Sequence, residues 1–452
     1  MIPASGAALT TVRDVPDTSR ADRRASQQAL RRRRLLFTVL VATILIAAVA
    51  TGVALLVTGD DGQKIAGPGG STTSSSASSS TSATGQSGSS TTAAGPATLP
   101  GMPPVPDPKN VYSEIGPKNV SSATDGALTR VYVPNRRSNN VSVIDPATQK
   151  VVDTFAVGLN PQHVVPSYDL KTLWVTNNAE GRADGTLTPI DPKTGKPGAP
   201  ISVDDPYNMY FTPDGKSAIV VAEARKRLDF RDPHTMALQY SIDTPNCAGI
   251  NHADFSINGT YAIFTCEYAG SLVKIDLVNH GVMGYLPLGS GRMPQDIRIS
   301  PDGKTWYVAD MMLGGIHLID GDSFSKIGEM PTGVGAHGLY PSRDGKRLYI
   351  ANRGSARVSG PPGGPGSISV LDFATKQIVA NWPIPGGGSP DMGNVSIDGK
   401  TLWLSGRYDD VVYAIDTANG SVKKIRVGTE PHGLTVWPQP GRYSLGHTGN
   451  MR

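Results

Sequence analysis

The chain has almost no cysteine: only Cys247 and Cys266 in 452 residues. It also lacks zinc-type spacing, a nucleotide-cradling glycine loop and a Ser-His-Asp order, so no short motif names an activity. Charged residues are sparse, at 18%, and the net charge of +4 misleads. Residues 1–34 hold eight arginines (Arg13, Arg20, Arg23, Arg24 and Arg31 to Arg34) against Asp14, Asp17 and Asp22, a local balance of +5. The remainder sums to −1, and without a basic excess the folded part is not expected to bind nucleic acid. No cysteine lies near the one long apolar run, which argues against a lipoprotein anchor.

That run, LLFTVLVATILIAAVATGVALLV from Leu35 to Val57, is 23 residues without a charge. It is long enough to span a bilayer as a transmembrane helix. The four arginines directly before it hold the basic tail (1–34) in the cytoplasm and send the rest across, as a single-pass protein of the cell membrane. A cleaved signal peptide is the alternative, because Ala48-Val49-Ala50 resembles a cleavage site and RRRRLLF loosely resembles a twin-arginine signal. The apolar run continuing to Val57 favours the anchor. Residues 58–108 form a Ser/Thr/Gly/Pro-rich linker whose core, 66–100, cannot bury a hydrophobic face. As a random coil it spans about 30–35 Å on average.

What the sequence has in abundance is turns and repetition. Gly and Pro number 52 and 36, a profile suited to many short strands. A unit recurs from about Thr124 onward, clearest at SPDGKTWYVAD (Ser300 to Asp310), SRDGKRLYIAN (Ser342 to Asn352) and SIDGKTLWLSG (Ser396 to Gly406). Its markers are Ala127, Lys171, Lys216, Thr260, Lys304, Lys346 and Lys400, at intervals of 44, 45, 44, 44, 42 and 54. A period of that size, filled with β-type runs, predicts an all-β propeller of seven blades over 109–440. The D-G pairs are hairpin signals because glycine takes the positive φ that other residues resist. Inner strands are expected near Gln162, Tyr207, Asn251, Gln295, His337, Asp391 and His432. The last, PHGLTVWP (Pro431 to Pro438), has no outer strands after it, whereas the first unit lacks a clear inner one. The C-terminal strand is therefore expected to complete the first blade, leaving 441–452 as a polar tail that can dock back and His447 in solvent.

The units LTRVYVPNRRSNNVSVIDPATQKVVDTFAVGLNPQHVVPS and RLYIANRGS…GSISVLDFATKQIV resemble the YVTN-type (YncE-like) β-propeller repeat over residues 124–438. At repeat level the chain is also similar to the propellers of haem-d1 nitrite reductases and of lactonases. The resemblance implies a surface or periplasmic propeller, in a family of diverse functions.

In such a ring, loops entering inner strands and loops leaving second strands share one face around the channel. Entering loops supply His163, Asn208, His252, Asp296, His337, Asp391 and His432. Leaving loops supply Arg136, Glu223, Arg225, Glu267, Asp310, Arg353 and Arg407. Imidazoles and carboxylates there suit a transition metal such as Cu or Zn, or acid–base work. Relative to the markers, His163, Asn208, His252 and Asp296 stand at minus eight but His337 and Asp391 at minus nine, and His432 repeats the H-G pattern of His337. Neighbouring strand residues face opposite ways, so the histidines are expected in two sets, and hydrogen bonding to neighbouring blades is the plain structural alternative. The arginines suit an anion, or salt bridges to Glu223, Glu267 and Asp310. The insertion ARVSGPPGGPG (Ala356 to Gly366) should overhang the same face. Cys247 and Cys266 read as a disulfide in an exported chain, with a Cys247–His252–Cys266 metal site as the rival.

Two functions remain open at this point. One is a monomeric, membrane-tethered module that binds a small ligand or a cell-envelope protein through its channel face. The other is an enzyme, either a lactonase-type hydrolase or a redox protein with a metal or haem-like cofactor. In that reading His252 or His337 is the base and Glu223 or Glu267 the acid or metal partner.

Overall fold

The computed structural model describes residues 98–452. The expected cytoplasmic tail, the transmembrane segment at 35–57 and the linker up to residue 97 lie outside the described residues. Among the described residues no helix is long and apolar enough to cross a membrane.

Seven antiparallel sheets arise from the repeat, one per unit. Blade 4 is representative: Ile250–Phe255 is innermost, then Tyr261–Cys266, Ser271–Asp276 and outermost Gly281–Pro287. The first turn of a blade is built by the repeat motif itself. In blade 5 the Ser300 hydroxyl meets the Asp302 carboxylate at 2.5 Å, Thr305 N–H donates to Ser300 Oγ at 2.9 Å, and Gly303 takes φ 74°. Ser342 and Asp344, and Ser396 and Asp398, repeat the arrangement. This is why the D-G-K spacing marks the blades.

Strand burial falls outward. Ile250–Phe255, Tyr261–Cys266 and almost all of Ser271–Asp276 are buried, being covered on both faces by neighbouring blades. The outermost strands alternate with solvent, as in Lys150–Ala156. Each fully buried Val, Leu, Ile or Phe contributes about 1.5–3 kcal/mol, so the packing between blades dominates stability. Innermost strands are also tied to the next blade by single side chains. Ala253 N–H donates to Tyr210 Oη, Ile299 N–H to Asp254 Oδ2, Leu339 N–H to Asp296 Oδ2, and Gly393 N–H to Tyr340 Oη, all at 2.9–3.0 Å.

The ring closes as expected. Thr435–Trp437 pairs with Arg130–Asn135 in the register Arg130↔Trp437, Val131↔Val436 and Tyr132↔Thr435, which completes blade 1 and leaves no open sheet edge at the seam.

The C-terminal tail differs from the expectation. Residues after Trp437 run to the channel end carrying the S-x-D turns and re-enter the channel as a narrow hairpin, with Ser444 opposite Met451. Gly446 bridges Tyr210, and a Cβ there would stand 2.4 Å from Tyr210 Cα, so only glycine admits this approach. His447, expected in solvent, is 0% exposed. Its N–H donates to Met209 C=O at 2.8 Å. Below it Asn450 and Arg452 both bind Asp254 Oδ1, at 2.8 and 2.5 Å. A polar segment is buried because the channel wall supplies its partners.

Candidate functional site at the open end of the channel

With the tail closing one end, the opposite face holds a cavity of about 440 Å³. It is lined by Arg136, Arg353, Arg407, Glu223, Glu267, His337 and His432 among the expected residues, together with Tyr207, Tyr268, Gln295 and Tyr408. Val358, Ser359 and Gly360 of the blade 6 insertion overhang it. Gln162, Tyr207, Gln295 and His337 share the minus-nine register and line the cavity, whereas Asn251 and Asp391 at the same register do not.

The arginines do not pair with Glu223, Glu267 or Asp310. Arg136 Nη1 contacts Glu430 Oε2 at 2.8 Å. Burial, followed by the neighbouring Arg407 charge, pushes its guanidinium down to about 10. Arg353 donates through Nη2 and Nε to Asp391 Oδ1 at 2.6 and 3.1 Å. Burial opposes its charge, but the Asp391 carboxylate outweighs that and holds it above the ordinary range. Arg407 differs from both. It is 8% exposed, its Nη1 reaches only to 3.6 Å from Asp391 Oδ2, and Nε and Nη1 have no hydrogen-bond partner. Arg225 pairs instead with Asp204 outside the cavity.

Facing the arginines are two carboxyl groups. Burial, reinforced by the Glu267 charge, pushes Glu223 up to about 8. Glu267, which accepts from Asn251 Nδ2 at 2.8 Å, is also raised by burial. At neutral pH Glu223 is therefore largely a protonated acid and a hydrogen-bond donor.

Asp391 lies beneath the cavity and organises its floor. His432 Nδ1 is 2.8 Å from Oδ2, and His337 Nδ1 is 3.0 Å from Oδ1 without hydrogen-bond alignment. Burial would raise this carboxyl, yet the Arg353 charge and the His432 hydrogen bond hold it well below the usual range.

The minus-eight residues take other places. His163 and His252 lie deeper in the channel, where neither lines the cavity. The two sets of histidines touch rather than separate, because His163 is 4.8 Å from His432 and His252 is 6.2 Å from His337 between ring centroids. His252 is thus out of reach as a base for a ligand in the cavity. Asn208 binds the Tyr210 hydroxyl and lies 3.0 Å from His447 Nδ1. Asp296 ties blade 5 to blade 6 and pairs with Arg298 at 3.2 Å, so it serves the wall. Asp310 binds His317 Nε2 at 3.1 Å and three backbone amides around Met293, Met312 and Leu313, away from the cavity. Cys247 and Cys266 form a disulfide, which removes the thiolates that a Cys247–His252–Cys266 metal site needs.

Burial pushes the imidazoles of His163 (to about 3), His252, His337, His432 and His447 down, so all five are neutral at neutral pH. Sequence reasoning missed His447 because its tail reads as a solvated terminus, and missed Tyr207, Gln295 and Tyr408 because no charge drew attention to them.

Solved structures show the same fold at low identity. The periplasmic gluconolactonase of Pseudomonas aeruginosa is 18% identical, with 69% of this chain and 99% of that one covered at a TM-score of 0.56. A functionally unknown protein from Desulfotomaculum acetoxidans is 15% identical, with 68% and 99% covered and a TM-score of 0.55. No curated protein matches the chain. The YNCE-like beta-propeller family matches residues 111–440, spanning every blade, and the chain belongs to that family.

Proposed function

We propose that the chain is an extracytoplasmic propeller, tethered through its segment at 35–57, that binds a small hydroxylated anion of sugar-acid size in the open cavity. The observation that carries this reading is Arg407. A nearly buried guanidinium has two nitrogens without a hydrogen bond and only a long 3.6 Å contact to Asp391, flanked by Arg136 and Arg353. Guanidinium forks match carboxylate and phosphate oxygens, and an unpaired buried one is costly until an anion fills it. A volume near 440 Å³ suits a ligand of that size. Tyr207, Tyr268, Gln295 and the protonated Glu223 supply hydroxyl-binding partners on the opposite wall.

A second reading, hydrolysis of a lactone, is favoured by one feature. The Glu223 acid and the Glu267 carboxyl face the arginines across a space that fits a lactone ring. One solved relative in fold is a gluconolactonase, which gives the substrate to try first.

The test is calorimetric titration of the full chain with gluconate, 6-phosphogluconate and neutral glucose. The anions should bind and glucose should not, with at least tenfold weaker anion binding in Arg407→Ala. Binding equal in wild type and Arg407→Ala, or none to any anion, would refute the reading. Acid release from glucono-δ-lactone above the spontaneous rate, abolished by Glu223→Gln, would establish the second reading.

A further inference from the structure

We propose that the deep layer of the channel is a transition-metal site formed by His163, His252 and His447, with the C-terminal hairpin supplying the third imidazole. It stands independently of the anion reading, since none of these residues lines the cavity.

The geometry leads there first. One ring nitrogen from each of the three lies within 4.8 Å of the other two, and all three residues are fully buried. Their ring centroids are 5.5, 5.1 and 4.8 Å apart pairwise. Both ring nitrogens of His163, both of His252, and Nε2 of His447 lack a hydrogen-bond partner. Five orphaned nitrogens in one buried layer are far outside what a settled interior tolerates, and a shared ion satisfies several of them at once. His432 adds to the set. Its Nε2 is also unpartnered, its ring neighbours His163, and Asp391 holds its Nδ1 at 2.8 Å. A carboxylate behind an imidazole is the usual means of orienting a metal ligand. Asp296 Oδ2, 3.9 Å from His447 Nε2, places a second carboxyl group beside the layer.

The backbone makes room for this arrangement. A Cβ on Gly433 would fall 2.0 Å from His163 Nδ1, so that glycine leaves the ring its place. His447 adopts φ 52°, a left-handed conformation that non-glycine residues seldom take, at the tip of the hairpin between Gly446 and Gly449. Asn208 lies 3.0 Å from His447 Nδ1 and holds the ring.

The donor set selects the ion. Neutral imidazoles suit Cu, Zn, Ni or Fe, whereas Mg and Ca prefer oxygen ligands. Bonds of about 2.0–2.1 Å in tetrahedral geometry require nitrogens up to 4.8 Å apart to draw together by as much as about 1.5 Å. His163 and His252 have no ring hydrogen bond to resist that rotation.

The experiment uses the full chain purified without chelator or imidazole. Metal content is measured first. The protein is then stripped and titrated separately with Co(II), read by its visible d–d bands, and with Cu(II). About one metal per chain is expected, bound at least tenfold more weakly in His252→Gln and His447→Gln and unchanged in the exposed His234→Ala. Should those variants fail to fold, electron spin-echo modulation of the Cu(II)-loaded wild type counts the coordinated imidazoles directly, and two or more are expected. Folded wild-type protein that takes up neither ion, uptake unaltered in both variants, or a Cu(II) spectrum without imidazole modulation would each overturn the site and leave ordered water as the partner of these nitrogens.

Discussion

Glu223 offers the sharpest test of the cavity's electrostatics. Burial raises its acid to about 8 from a reference of 4.5. A raised value in the folded state means that folding favours the protonated form. Below about pH 4.5 both states are protonated and the contribution is complete. Between about 4.5 and 8 the unfolded chain loses the proton that the folded chain keeps, so stability falls; above 8 it falls no further. Over the whole window the shift corresponds to at most about 5 kcal/mol, at 1.36 kcal/mol per unit. The side chain is only half-buried and fronts an open cavity, so solvent screening brings the expected loss to about 2 kcal/mol. Glu223→Gln cannot ionise. It should match wild type near pH 4.5 and exceed it by about 2 kcal/mol at pH 8–9. Urea unfolding of both proteins across pH 4.5–9, followed by tryptophan fluorescence, reads this difference, and groups that do not interact with position 223 cancel. A difference that does not vary with pH, or a variant less stable than wild type above pH 8, would refute the argument. The same ionisation adds negative charge opposite the arginines, so anion affinity should weaken through pH 8 in wild type and not in the variant.

Two further perturbations probe the frame around the cavity. Reducing the Cys247–Cys266 bond, or replacing Cys266 with Ser, releases a loop of 19 residues and should cost about 3 kcal/mol. No other cysteine exists to confuse the result, and an unchanged urea midpoint under reductant would contradict it. Asp391→Ala leaves Arg353 buried without its carboxylate and should lower stability by about 3–5 kcal/mol in the same assay. A loss below about 1 kcal/mol would show that Arg353 finds solvent instead.

The blades were legible because the same local physics recurs. Ser, Asp and Gly at fixed spacing build one turn, seen at Gly303, Gly345 and Gly399, all with positive φ. Even blade 2, with Leu170 at φ 63° in place of glycine, kept its spacing. Closure through Thr435–Trp437 followed from counting strands. The register of the inner strands separated cavity from channel only in part: Gln162, Tyr207, Gln295 and His337 at minus nine line the cavity and His163, Asn208, His252 and Asp296 at minus eight do not, but Asn251 and Asp391 at minus nine lie beneath it. Which arginine keeps nitrogens without a hydrogen bond was not legible, since Arg353 and Arg407 occupy equivalent loops and both face Asp391, at 2.6 and 3.6 Å. The tail was opaque for a related reason. GRYSLGHTGNMR has no apolar periodicity, and its burial depends on Asp254, Asn394 and Tyr210, partners that exist only once the ring has closed.

The order of groups along the channel then says where binding is possible. At the closed end Asp254, Asn450 and Arg452 satisfy one another, and nothing further can be accepted there without breaking a buried charge pair. One layer up, Asp296 is committed to Arg298 and to Leu339 N–H of the next blade. Unmet capacity begins at the imidazoles of His163, His252 and His447 and reappears at Arg407. A neutral imidazole keeps one lone pair that can hold a cation, and a guanidinium with two nitrogens free of hydrogen bonds can hold an anion. The chain separates these two capacities by the Asp391 carboxylate, which is bound on its cavity side by Arg353 and lies against His432, the ring next to His163. A cation in the deep layer would draw on Asp391 through His432 and loosen its hold on Arg353 and Arg407, so occupancy below should strengthen anion binding above.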